Sequence, residues 1–198
     1  AVIVDPETAG ELPDGRVGEI WLQGRNIGRG YFGRPEETRR TFGARLHSVL
    51  DAGSHSAGAL HEGNWLRTGD LGFYHRGELY VTGRLADLLV IGGRGHYPQD
   101  IEATVADAAP LVRRGYVVAY ALDGAEAVTI LAERAAGTAH ADVQTAVDAI
   151  RELVTRRHQV AVADVQVLPA GAIPRTTSGK LARWACRAQT GHRRPGVR

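Results

Sequence analysis

The stretch from Asn64 to Glu102, NWLRTGDLGFYHRGELYVTGRLADLLVIGGRGHYPQDIE, constrains this chain more than any other. It opens on an aromatic residue and a Thr-Gly-Asp corner, passes through the Gly-bounded alternating run GELYVTG, and reaches Gly83-Arg84. A Gly-rich turn then feeds a helix. The stretch supplies one carboxylate at a tight turn, Asp70, and one guanidinium just past a strand, Arg84. Too little sequence separates them for a domain of its own, so a short hairpin is expected to bring both to one ligand. A carboxylate accepts hydrogen bonds from two sugar hydroxyls, and an arginine fork suits ribose oxygens or a phosphate. Together they point to a nucleotide site.

Composition excludes several classes. A net charge of +2 over 198 residues is too small to argue for nucleic acid, and no stretch interleaves aromatics with a dense Lys/Arg run. The terminal GHRRPGVR is basic but reads as a frayed tail, 191–198. One cysteine, Cys186, excludes an intramolecular disulfide framework and fits a reducing, cytoplasmic compartment. No apolar run approaches the ~20 residues of a membrane span. The chain opens on AVIVDPETAG, already strand-like and without an initiator Met, which predicts a piece of something longer.

In order, Ala1 to Val4 reads as a strand, Asp5-Pro6 and Pro13-Asp14-Gly15 as turns, and Val17 to Gln23 as a second strand. A helix is expected from Pro35, with Glu36 and Glu37 near the positive end of its dipole. Gly43 to Gly63 reads as a surface loop. Phe73–Tyr74 and Glu78–Thr82 form a strand pair that closes a β-rich first half, too small to bury a full core alone. Beyond Arg84, Asp87 to Ile91 is a short strand, and Gly92, Gly93 and Gly95 form a turn tolerant of positive φ. Pro98 to Ala109 is a helix stopped by Pro110. Tyr116–Leu122 and Ala127–Glu133 pair across an Asp123-Gly124 turn. Val143, Val147, Ile150 and Val154 recur at helical spacing, so Asp142 to His158 is an amphipathic helix. Val165–Leu168 is a strand, and Ser178 to Ala188 a last helix with Ser178 as N-cap. The second half is thus a compact α+β domain of roughly 110 residues, with the boundary at Leu85–Ala86.

Chemistry near the C-terminus sits in AIPRTTSGKLAR. A Walker A loop fails here, because Pro174 stands where it needs Gly and Leu181 where it needs Ser or Thr. What remains is Lys180 in a Thr/Ser/Gly loop at a helix start, a flexible point charge able to reach a carboxylate and a phosphate together. Each residue also has a plainer reading. A lysine after Ser-Gly is usually a solubilising residue; Asp70 could cap its own turn; Arg84 could pair with Asp87 at the surface. His96, beside Tyr97-Pro98, reads as a structural hydrogen-bonder that at most supports the site from behind. Trp21 and Trp184 read as packing. His61-Glu62 lacks a second His at helical spacing, so no zinc-protease motif and no metal site is expected.

Taken together, the segments resemble the C-terminal part of an adenylate-forming enzyme, the superfamily of acyl-CoA synthetases, non-ribosomal adenylation domains and luciferases. GEIWLQGRNIGRGYFGRPEETRRTF is similar to a motif near the end of the large domain. WLRTGDLG resembles the Thr-Gly-Asp motif, which implies Asp70 on the ribose hydroxyls. GRLADLLVIGGRGHYPQDIE resembles the hinge and the first motif of the small domain, which implies Arg84 near ribose and phosphate and a hinge at Leu85 and Ala86. PRTTSGKLAR resembles the terminal motif, which implies Lys180 as the catalytic contact to acyl carboxylate and AMP phosphate. The fold so implied is α+β: residues 1–84 as the β-rich end of a large N-terminal domain, 85–86 as hinge, and 87–190 as the small domain.

Within that superfamily the form GGRGHYPQDIE resembles the fatty acyl-AMP ligases, with Gly95 where they usually carry Asn. RRGYVVAYAL, AERAAGTAHAD and LDAGSHSAGALHEGNW look like the actinobacterial long-chain group that activates meromycolate-type acids. The resemblance implies a reaction of a long-chain fatty acid with ATP, accompanied by Mg²⁺, to acyl-AMP and pyrophosphate. The acyl group then passes to an acyl carrier protein or a polyketide synthase carrier domain. A large N-terminal domain in cis is implied too, and the chain alone is expected to be inactive. Two departures bear on this. Ala86 stands at a hinge position where many relatives carry Asp or Lys, and Val90 stands where many CoA-forming relatives place a lysine. A CoA-forming acyl ligase and a non-catalytic carrier-docking module are the alternatives.

Overall fold

The structure, a computed structural model, describes residues 1–58, 62–122 and 124–191. The chain divides into two compact units, Ala1–Ala86 and Asp87–Arg198. Among the described residues no helix is long and apolar enough to cross a membrane.

The first unit is built on a four-stranded antiparallel sheet in the order β1 (Val2–Val4), β2 (Gly18–Leu22), β3 (Leu66–His75), β4 (Glu78–Arg84). Strand side chains alternate between faces, and β1 shows the consequence. Val2 and Val4 pack with Trp21 and Trp65 on one face, while Ile3 packs with Ile20 and Tyr74 on the other. Residues 43–58, expected as a surface loop, are instead laid against the sheet. Ile3 donates its N–H to Ser54 O, Ser54 N–H donates to Leu12 O, and His47 N–H donates to Ala9 O. The buried Glu11 carboxylate accepts from Leu50 N–H and pairs with His55. Gly53 lies so near that a Cβ there would overlap that carboxylate. A buried acid needs partners, and Glu11 finds them 39 and 44 residues away, a distance no local pattern reports. Residues 59–61 of the expected loop, including His61, lie outside the described residues.

The helix expected at Pro35 is α1 (Pro35–Phe42), with Pro35 in its first turn, Glu36 and Glu37 there too, and Arg39 and Arg40 in its last turn. None of its residues is buried. Its charges complement the dipole, and Thr38 Oγ1 accepts from Tyr31 N–H at 2.9 Å to tether the approach.

The second unit opens with a hairpin of β5 (Leu89–Ile91) and β6 (Arg94–His96). Gly92 and Gly93 turn it with φ of +56° and +74°, the pair of positive values that a two-residue hairpin turn needs. Gly95, expected in the same turn, lies in β6 without positive φ; a Cβ there would press on Leu88 at 3.0 Å. Then come α2 (Pro98–Ala108), β7 (Val112–Tyr120), β8 (Ala127–Arg134), α3 (Val143–His158), β9 (Ala161–Leu168) and α4 (Arg183–Gly191). β8 is central, antiparallel to β7 and parallel to β9. A parallel pair needs a crossover, and α3 supplies it.

The main core of this unit joins Ile101 and Val105 of α2 and Ile150 and Val154 of α3 to Val117, Ala119, Val128 and Ile130. Val118, Tyr120 and Leu131 pack instead with Ile173 and Cys186. Burial pushes the Cys186 thiol up from its ordinary pKa, so it behaves as a small apolar group.

Several expectations shift. β7 begins at Val112 rather than Tyr116, with a bulge before Val117 where Gly115 takes φ +75°. Asp123 of the expected turn lies outside the described residues. Along α3, Asp142 is the N-cap and accepts from Gln144 N–H, and Ala146, Ile150 and Val154 are buried, but Val143 is exposed. The buried stripe therefore begins one turn later, at Ala146, with Val147 partly buried against the core. Trp21 is buried, whereas Trp184 is 74% exposed and does not pack in the core. The last helix starts at Arg183, not Ser178.

Candidate functional site

Asp70 and Arg84 come together in the first unit. They are Cα partners across β3 and β4, and Arg84 Nε donates to Asp70 Oδ1 at 3.0 Å. Arg84 therefore pairs with Asp70 and not with Asp87. Both remain accessible: the side chains are 68% and 35% exposed. Among the described residues, the pair uses one carboxylate oxygen and one guanidinium nitrogen. The second oxygen and the two terminal nitrogens are left for a ligand.

The corner that presents Asp70 is braced by a residue that sequence reasoning passed over. Glu19 is buried in β2, and its Oε2 accepts from Trp21 Nε1 at 3.0 Å and from Arg67 Nε and Nη2 at 2.9 and 2.7 Å. Its Oε1 accepts from Gly69 N–H at 3.1 Å. Thr68 Oγ1 donates to Ile20 O at 2.7 Å and accepts from Asp70 N–H at 3.0 Å. The β2–β3 register slips here, so Thr68, Gly69 and Asp70 bulge opposite Ile20. Bulges re-aim side chains, and this one re-aims the carboxylate. The available signal was an acid inside the apolar run GEIWL, which has to find a cation. Gly69 sits at φ +71° with open space where a Cβ would go. Gly69→Ala is therefore expected to cost about 1–2 kcal/mol through backbone strain alone. Comparing thermal midpoints checks this; an unchanged midpoint would sink the strain argument.

Lys180 lies in the second unit on a small hairpin, not at a helix start. Arg175 and Leu181 bridge, Thr176 N–H donates to Lys180 O at 2.8 Å, and Gly179 N–H donates to Thr176 O at 2.8 Å. Gly179 takes φ +82°, which no right-handed helix contains. Thr176 Oγ1 accepts from Lys180 N–H at 3.2 Å and bonds Ser178 Oγ at 3.0 Å. The Ser178 hydroxyl, expected to cap a helix, thus joins Thr176 in stabilising a turn, and Lys180 is exposed on it.

Three residues on, Arg183 fixes the start of α4. Its Nε and Nη2 donate to Glu102 Oε1 and Oε2 at 2.8 and 2.6 Å, a two-pronged pair. Glu102 Oε1 also accepts from Ala119 N–H, and Arg183 Nη1 reaches Asp87 at 3.3 Å. The Glu102 bond, followed by the Glu102 and Asp87 charges, raises the Arg183 pKa against its burial. Leu85 and Ala86 form a single 3-10 turn with Asp87. His96, at the end of β6, is half-buried; burial and then the Arg94 charge lower its pKa. That favours the neutral ring at physiological pH, and His96 shares a unit with Lys180 rather than with Asp70 and Arg84. Among the described residues no group of three His, Cys, Asp or Glu side chains is placed to hold a metal.

Known proteins share this sequence and fold. No protein-family model matches the chain. It is 46% identical, over 95% of its length, to 33% of the long-chain-fatty-acid–AMP ligase of Mycolicibacterium smegmatis. It is 42% identical, over 93% of its length, to 31% of a Mycobacterium bovis protein named a putative fatty-acid–CoA ligase. The chain thus spans about a third of the length of the curated relatives it matches. A fatty acyl-adenylate ligase structure, from work on the E. coli and L. pneumophila enzymes, superimposes with a TM-score of 0.73 at 28% identity, covering 96% of this chain and 30% of that one. ATP-bound MatB from Rhodopseudomonas palustris gives 0.67 at 28% identity, covering 95% and 33%.

Proposed function

We propose that this chain, which is related in sequence and fold to the C-terminal part of the adenylate-forming fatty acyl-AMP ligases, works inside a longer ligase that activates a long-chain fatty acid with ATP. The acid's carboxylate oxygen attacks the α-phosphorus, the bond from that phosphorus to the bridging oxygen breaks, and acyl-AMP and pyrophosphate result. The observation that carries this reading is the accessible Asp70–Arg84 pair on its braced corner. One carboxylate oxygen is left to accept from ribose hydroxyls, and two guanidinium nitrogens are left to donate to ribose or phosphate. This is binding and positioning.

Attack of a carboxylate on a phosphate brings two anions together. Lys180, exposed on its hairpin, is the cation that would bridge them and offset charge developing in the transition state. Mg²⁺ would enter with ATP on the phosphate oxygens, since it keeps to phosphates and a few carboxylates rather than an all-protein cage. Division of the chain after Ala86 supports rotation at Leu85–Ala86 as the step that moves Lys180 away after adenylation. The acyl group would then pass to the phosphopantetheine thiol of an acyl carrier protein or polyketide synthase carrier domain. The alternative acceptor, free CoA, is favoured by the name of the Mycobacterium bovis relative. Against it stands Val90, exposed on β5 where many CoA-forming relatives carry lysine.

The test uses the full-length ligase with ATP, Mg²⁺ and a long-chain fatty acid, offered either CoA or a holo-carrier protein. Acyl-AMP that persists with CoA and becomes acyl-carrier is the expected result. Rapid acyl-CoA formation would select the CoA-forming branch, and no adenylate in either case would favour a docking module. The isolated 198-residue chain is expected to form no acyl-AMP; robust synthesis by it would overturn that.

A further inference from the structure

Lys180 acts from a hairpin, so something outside the hairpin has to fix where it points. Hydrogen bonds within the loop set its shape but not its direction relative to the sheet. Two attachments to the sheet do. At the base, the fully buried Glu133 of β8 accepts from Ile173 N–H at 3.0 Å. On the flank, the guanidinium of Arg175 lies over the ring of Tyr116, 4.0 Å from its centroid. The same Arg175 donates through Nη1 to Gly179 O, one residue before Lys180.

The Tyr116 ring is itself held. Arg113 lies over it at 3.4 Å and pairs with Glu133 at 3.0 Å. Two guanidinium groups on one ring repel each other, but the Glu133 carboxylate offsets the Arg113 charge, and both cations gain from the ring quadrupole. The order of contacts is therefore continuous: a buried carboxylate, a paired arginine, an aromatic plane, a second arginine, and a carbonyl beside the lysine. Each link leaves fewer orientations to the next.

We propose that Tyr116 is a positioning residue for Lys180, acting through Arg175 by giving the lysine hairpin a rigid plane to rest on. This rests on the reading of Lys180 as the lysine that serves adenylation. Loss of the ring frees Arg175 and lets the hairpin pivot about its base. Lys180 then meets the reacting phosphate in fewer encounters, while nucleotide binding through Asp70 and Arg84 is untouched. A defect of position falls on kcat rather than on KM for ATP.

The experiment measures acyl-AMP formation by the full-length ligase carrying Tyr116→Leu, Tyr116→Phe, Arg175→Gln, Lys180→Ala, or Tyr116→Leu with Lys180→Ala. Tyr116→Leu is expected to lower kcat about tenfold at constant KM for ATP, and Tyr116→Phe, which keeps the ring, to restore it. Arg175→Gln, at an exposed side chain outside the buried core, is expected to show the same kcat-only loss and covers a folding failure of the leucine variant. With Lys180 already removed, Tyr116→Leu is expected to cause no further loss, since the two act as one unit. A wild-type rate for both Tyr116→Leu and Arg175→Gln, or an equal loss with and without Lys180, would overturn the proposal. A normal rate for Lys180→Ala alone would overturn the underlying assignment of the lysine, and the positioning role with it.

Discussion

Replacing Lys180 by alanine in the full-length ligase is expected to slow acyl-AMP formation by about 10²–10³, the usual effect of deleting one group that stabilises developing charge. The loss should fall on kcat, with KM for ATP little changed, because the proposed nucleotide contacts, Asp70 and Arg84, lie in a different unit. Folding should be unaffected, since Lys180 is exposed and the bonds shaping its hairpin run through its backbone and Thr176 Oγ1. Lys180→Arg keeps the charge but replaces a point ammonium with a planar fork, so it is expected to recover only part of the rate. Single-turnover adenylate formation measures this directly. A rate within a factor of about three of wild type for Lys180→Ala, on the scale of typical charge-stabilising groups, would remove the lysine from the chemistry.

Glu133→Gln should have the largest effect on stability. The Glu133 carboxylate is fully buried and takes bonds from Ile173 N–H and Arg113. Burial works to raise its pKa, but backbone bonds from Gly171 and Ile173, together with Arg113, outweigh it and hold the pKa below its ordinary 4.5. An amide keeps one acceptor and turns the other oxygen into a donor facing donors. Arg113 is 39% exposed and recovers some hydration, so the expected cost is about 2–4 kcal/mol, toward the low side of a broken buried pair. The pH dependence has a definite sign. A carboxyl whose pKa is depressed by folding contributes stability that is complete above its unfolded value and is lost as pH falls through the folded value. Wild type is therefore expected to lose stability on acidification below about 4.5, the carboxylate's ordinary range, and Glu133→Gln to lose less over the same window. Denaturation at neutral and acid pH tests both statements; parallel pH profiles would assign the acid sensitivity elsewhere.

Local chemistry announced itself in sequence where it was self-sufficient. Pro35 with Glu36 and Glu37 marks α1 because a proline lacks only a bond that a first turn does not make. Asp142 marks the start of α3 because its side chain replaces a missing backbone acceptor. Gly92-Gly93 marks the β5–β6 turn because both take positive φ. Asp70 and Arg84 could be paired on paper because a hairpin leaves few registers, and the observed register sets them directly opposite. Signals failed where a residue had two local uses. Thr176, Ser178 and Gly179 suit a helix cap and a hairpin equally, and the Arg175–Leu181 bridge selected the hairpin. Trp184 looked like core by type, yet its position on α4 leaves it in solvent.

The sequence by itself determined which elements form and which groups are available for chemistry, because helix starts, turns and motif residues depend on neighbours a few positions away. Tertiary structure decided how those groups are held. Glu11 reaches Leu50 and His55, Glu19 reaches Arg67 and Gly69, Glu102 reaches Arg183, and Glu133 reaches Ile173. Each is an acid withdrawn from water, and the cost of that withdrawal requires donors wherever the fold can bring them. Those donors lie tens of residues away, so only the folded chain shows what steadies the corner carrying Asp70 and the hairpin carrying Lys180.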